Sequence, residues 1–131
     1  MTRTVAVGAL LAALLVASAR AQPAPALSFG RSGGNIRPYT VTISATGRVT
    51  AVGVKVGKTV VPAATLKALL RLAASTRLSS MSPLTLCPQT LPDFAGSWIR
   101  FGTHRVAVRG SCNPAFGRLY AALARAVALG A

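Results

Sequence analysis

Residues 87–112, CPQTLPDFAGSWIRFGTHRVAVRGSC, decide how this chain folds. The two ends of the run are the only cysteines. Between them stand the only acidic residue, Asp93, the only tryptophan, Trp98, and the only histidine, His104. Two runs, Ala95 to Phe101 and Arg105 to Arg109, flank Gly102-Thr103 and read as a β-hairpin. In that reading Ile99 and Phe101 face inward with Val106 and Val108, while Arg105 and Arg109 face out. Beyond the hairpin, Asn113 is a good helix N-cap, and Pro114 suits the first helical position, where its missing N–H costs nothing. Phe116, Leu119, Tyr120, Leu123 and Val127 then make the apolar stripe of a last helix.

Two cysteines in an exported domain are most simply one disulfide, here Cys87 to Cys112. Closing that loop stabilises the fold by about 3.5 kcal/mol through the entropy removed from the unfolded chain. A zinc site needs about four ligands, and two cysteines with one histidine fall short. No metal and no cofactor are expected.

The export argument comes from the start of the chain. Arg3 is followed by Val5 to Val16, an unbroken run of apolar residues and glycine, and Ala19-Arg20-Ala21 offers small residues before Gln22. That is the grammar of a signal peptide over residues 1–21, with cleavage near Ala21-Gln22. The apolar run is too short to span a bilayer, which needs about 20 residues. Residues 22–26, QPAPA, read as a flexible spacer, and 27–131 as a single domain that is secreted or held in the cell envelope.

Working outward from the hairpin, Pro38 to Ser44 (PYTVTIS) is a clear strand, with Tyr39, Val41 and Ile43 on one face and Thr40, Thr42 and Ser44 on the other. Leu27 to Arg31 reads as a strand before it, separated by the Ser32-Gly33-Gly34-Asn35 loop. After a turn at Thr46-Gly47, Arg48 to Val56 returns, weakened by Gly53. Pro62 is placed at the first position of a helix over Ala63 to Ser75, whose stripe is Leu66, Leu69, Leu70 and Ala73. Thr76 to Pro92 reads as a long connection tied down by Cys87. The expected fold is α+β: a mainly antiparallel sheet with two amphipathic helices on one face, in the order β-β-β-α-β-β-α, with one disulfide.

The composition limits function. The 131 residues hold 15 Lys and Arg against one acid, a net charge of +14. Such a charge favours anionic partners. The basic residues are spread singly, however, and arginine outnumbers lysine 12 to 3. A nucleic-acid partner is not expected, because no platform of stacking aromatics accompanies the charge. Glycoside hydrolysis needs two carboxylates, and one is present. Asp93, His104 and several serines formally supply a triad, but there is no G-x-S-x-G elbow, and His104 belongs on the surface beside a turn. The domain is read as non-enzymatic and monomeric. Asp93 either pairs with Arg100 or Arg105 or caps the turn Pro92-Asp93-Phe94. Phe94 and Trp98 are either core or disulfide-packing residues or exposed anchors for a partner.

Arg31-Ser32-Gly33-Gly34, placed between a first and a second strand, resembles the R-S-G-G opening of the emfourin family, small bacterial inhibitors of thermolysin-like metalloproteases. The later order is similar as well: a leucine-rich helix, a Pro92-Asp93-Phe94 turn, a hairpin and an amphipathic last helix. The chain departs from that family in its leader and its cysteine pair. Pro38-Tyr39, Val41, Ile43, Gly47 and Val49 also resemble an uncharacterised bacterial domain that opens R-x-x-C-x-G-x-C-P-x-Y-x-V-x-I, without its cysteines. The first resemblance implies a binding domain that inhibits a secreted metalloprotease, with Arg31, Ser32, Gly33, Gly34, Asp93 and Phe94 in the matched motifs; Trp98 joins them as a candidate partner anchor because aromatics dominate interface hot spots. The charge supports an alternative, a basic envelope protein that binds anionic wall polymer or acidic lipid.

Overall fold

The structure, a computed structural model, describes residues 26–131. The expected leader (1–21) and spacer residues 22–25 lie outside the described residues. Six strands and two helices follow: β1 Leu27–Ser32, β2 Tyr39–Ile43, β3 Val49–Val52, α1 Ala63–Thr76, β4 Leu84–Leu86, β5 Gly96–Phe101, β6 His104–Arg109 and α2 Pro114–Ala126. They form one sheet in the order β3-β2-β1-β5-β6-β4, antiparallel throughout except for β4, which runs parallel to β6.

The threonine–valine alternation of β2 fixes its register. Phe29 of β1 stands between Val41 on one side and Ile99 on the other, and Leu27 between Ile43 and Phe101. Slipping any strand by one residue would turn these apolar side chains into water. Both helices cover this one face. Leu66, Leu69 and Ala73 of α1 and Phe116, Leu119 and Leu123 of α2 are buried against Phe29, Ile43, Ile99 and Val106 in one core. The expected helix stripes are therefore the observed contact faces, with Leu70 half-buried at the edge of its stripe. Asn113 caps α2 as expected: its Oδ1 accepts the Phe116 N–H at 3.1 Å.

Four expectations are corrected. First, β4 lies inside what reads as a loop, because a strand of three residues, Leu84–Leu86, is too short an alternation to register. Leu84 and Leu86 share the uncovered face with Ala107 and Arg109, so no buried pattern marks the strand. Second, β3 stops at Val52 instead of running to Val56. Gly53 has φ 82°, and a side chain there would strike the Pro38 carbonyl, so the backbone leaves the ladder at that point. Third, Pro62 occupies the N-cap position, one residue earlier than expected, and its carbonyl accepts the Leu66 N–H at 2.9 Å. Fourth, Arg109 does not simply face out. It is half-buried, with a buried Nε.

A hydroxyl pair ties the sheet to α2. Tyr39 and Tyr120 approach at 2.6 Å, while the Tyr120 ring meets Phe29 edge-on at 5.5 Å. Burial, followed by the Tyr39 hydrogen bond, pushes the Tyr120 phenol well above its ordinary range, with Arg31 acting weakly in the opposite direction. A folded-state pKa above the unfolded value gives stability that is complete below about pH 10 and is lost as pH rises further. Tyr120→Phe is expected to cost about 1 kcal/mol at neutral pH. It should also flatten the alkaline fall in stability above about pH 10 relative to the parent chain, as read by urea unfolding across that range.

Candidate functional site

The strand directions gather several loops at one end of the sheet. β1 and β5 are antiparallel, so Ser32 lies beside Gly96. β4 and β6 are parallel, so Leu86 lies beside Arg109. The loop after β1, the loop after β4 and the entry to α2 therefore converge. The Cys87–Cys112 disulfide closes this end, with the two Cα atoms 5.5 Å apart. The Cys87 N–H also donates to the Arg109 carbonyl at 2.9 Å, which seats the loop on the sheet.

The Ser32–Asn35 loop and the disulfide loop meet directly. The Asn35 N–H donates to the Asp93 carbonyl at 3.3 Å. Gly33 and Gly34 both have positive φ, 76° and 59°. A side chain on Gly34 would collide with the Asp93 carbonyl and come within 2.9 Å of the Phe94 carbonyl carbon. The second glycine of R-S-G-G is thus needed twice, for its left-handed backbone and for the close approach of a second chain. Arg109 completes the junction from below: its Nη2 lies 3.4 Å from where a Gly33 Cβ would stand.

Asp93 takes neither expected role. Its turn is closed by the backbone, the Phe94 N–H donating to the Leu91 carbonyl at 3.1 Å, and its side chain is exposed. The pairing with Arg100 or Arg105 is not formed. Both arginines stand on the hairpin beyond Ile99, strand positions away from the end where Asp93 lies, and Arg105 lies 4.8 Å over the Trp98 ring instead. Phe94 is 52% exposed, an aromatic placed at the junction of the two loops. Arg31 points to the helix side of the sheet with Ser97, into a cavity of about 640 Å³ bounded by the disulfide and Phe94.

Trp98 is the residue the structure separates from this group. It lies on the opposite face of the sheet, in register with Gly30 and Ala107, and its ring covers Gly30. It packs against neither the disulfide nor the core. His104 is exposed at the far end of the hairpin. Among the described residues no cluster of three His, Cys, Asp or Glu could hold a metal ion, and no helix is long and apolar enough to cross a membrane. A comparison with family models, with curated proteins and with solved structures finds no match for this chain.

Ser97, Thr90, Ser111 and Arg109 belong to this end and escape a reading of the sequence alone. Each is ordinary in its own stretch, and only strand direction brings them together. A signal was nevertheless present. A hairpin turning at Gly102-Thr103 sets Ser97 opposite Val108, and a disulfide at Cys112 then brings residues 87–90 to 110–112.

The two-fold demand on Gly34 can be tested against Gly102, which has a similar φ of 61° but nothing within 4 Å of a built Cβ. Gly102→Ala is expected to cost about 1 kcal/mol for its backbone alone. Gly34→Ala should cost at least about 2 kcal/mol, since the Asp93 carbonyl has to move as well. Urea unfolding of both variants measures the difference.

Proposed function

We propose that this chain is a small exported, non-catalytic binding domain and that the end formed by the Ser32–Asn35 loop and the disulfide loop engages a protein partner. The observation that carries the reading is the meeting of those two loops through Asn35, Gly34 and Asp93, with Phe94 exposed at the junction. A covalently closed end that presents an aromatic side chain is what a partner can bind at a reduced ordering cost. The resemblance of Arg31–Gly34 and Pro92–Phe94 to the emfourin pattern supports a thermolysin-like metalloprotease as the target.

The alternative, a protein that binds anionic envelope polymer or acidic lipid, is favoured by a different place. Arg100 and Arg105 stand side by side on the uncovered face of the sheet, both exposed, with Arg105 over Trp98. Salt separates the two readings. Binding through that face should weaken steeply as ionic strength rises, and binding through Phe94 should not.

The decisive assay is inhibition of a thermolysin-like protease by the mature domain. The expected result is inhibition at micromolar concentration, weakened at least tenfold by Phe94→Ala with the unfolding midpoint unchanged. Tenfold is about 1.4 kcal/mol, a modest loss for an interface aromatic. Absence of inhibition at micromolar concentration would remove the protease from the proposal.

A further inference from the structure

The cavity at the disulfide end has an unneutralised cation in its wall. Arg31 lies on the helix-side face of β1, between Tyr39 and Ser97, where the apolar cover of the helices gives out. Its Nε is buried and has no hydrogen-bond partner. The chain has one acidic side chain, Asp93, and it is exposed, with its main chain committed to Asn35. The Nε has lost water without gaining a partner, while the residue as a whole stays half-buried, and an anion entering the cavity supplies the missing counter-charge.

The rest of the lining narrows the anion. Ser97 and Ser111 line the same space, while Phe94, Val108 and the disulfide supply apolar wall. Arg31 is the one cation in that lining. A single planar fork beside apolar surface matches a carboxylate on a carbon skeleton. A phosphate, with up to two charges and three acceptor oxygens, calls for more cations than this wall holds. The rim is also strained: Gln89, in the turn that follows Cys87, is a non-glycine residue at φ 63°. Such strain persists only where the surroundings hold it, and it concentrates at ligand sites.

We propose that this cavity is a recognition pocket for a carboxylate carried by a peptide or protein partner. Arg31 forks onto the carboxylate, Ser97 and Ser111 donate from the side, and Phe94 with the disulfide covers the attached apolar part. The proposal rests on the reading of this end as a protein-binding surface and names the chemistry of what it binds. The carboxylate has two sources, a chain terminus or an acidic side chain.

Nitrogen–proton correlation spectra of the labelled mature domain test this, followed at the Arg31 Nε–H and the Ser111 amide. Three probes are titrated: acetyl-Ala-Ala-Phe with a free C-terminal carboxylate, the same peptide as its C-terminal amide, and acetyl-Ala-Glu-Phe amide. Saturable shifts are expected with one or both acid-bearing peptides and none with the neutral amide. Which acid-bearing peptide binds identifies the source. Arg31→Gln should weaken binding at least tenfold, and Arg31→Lys, which keeps the charge and loses the fork, should fall between. No shift with either acid-bearing peptide overturns the pocket, as does an equal response to the neutral amide. Peptides that titrate Arg31 without protease inhibition leave the pocket standing and remove the protease. Inhibition by a parent domain that binds neither acid-bearing peptide, retained in Arg31→Gln, removes the pocket and leaves the binding end standing.

Discussion

The covalent link between Cys87 and Cys112 is the constraint on which the meeting of the two loops depends. It joins the first residue of the loop after β4 to the residue before the α2 cap. Without it, the stretch from Cys87 to Ala95 would hang from a three-residue edge strand at one side and from β5 at the other. With it, the loop is held over the sheet end, and Asp93 is positioned where Asn35 can donate to its carbonyl. The chain-entropy gain of about 3.5 kcal/mol is a large share of the stability of a domain this size.

The sheet divides the molecule into two unlike sides. On one, a closed core runs from Val49 to Val108 beneath both helices. On the other, the sheet is open, and Val52, Leu84 and Leu86 are each more than half exposed. Trp98 protects part of that side by lying over Gly30, whose missing side chain leaves room for the ring, and Arg105 in turn covers Trp98. The stack shields backbone that an isolated glycine would leave bare. Arg31 and Arg109 end on opposite sides of the sheet but at the same end, each with a buried Nε lacking a partner. Asp93 is the one acidic side chain that could neutralise either of them, and it faces water.

Much of the architecture was legible because period and punctuation agreed. Tyr39-Thr40-Val41-Thr42-Ile43 alternates without a break, and Asn113-Pro114 announces α2. The Gly102-Thr103 turn implied the Phe101↔His104 pairing that the structure has. The edge strand β4 was not legible, since both of its leucines face away from the core. The site was legible only in part. Ser32 to Gly34 and Asp93 to Phe94 could be singled out by residue type, but nothing local says that they touch. Trp98 joins them by residue type, as an aromatic able to anchor a partner, yet strand alternation puts it on the other side of the sheet from Ser97 and Arg31. The ion pair expected for Asp93 failed for a related reason. Charge alone nominates partners, while strand position decides which of them are within reach.

The central claim is that the Ser32–Asn35 loop and the disulfide loop form one unit. Amide hydrogen exchange at Asn35, measured with the disulfide intact and after reduction under conditions that keep the fold, tests it most directly. Reduction is expected to speed exchange at Asn35 while the amides of β2 keep their protection. Unchanged exchange at Asn35 after reduction would contradict it.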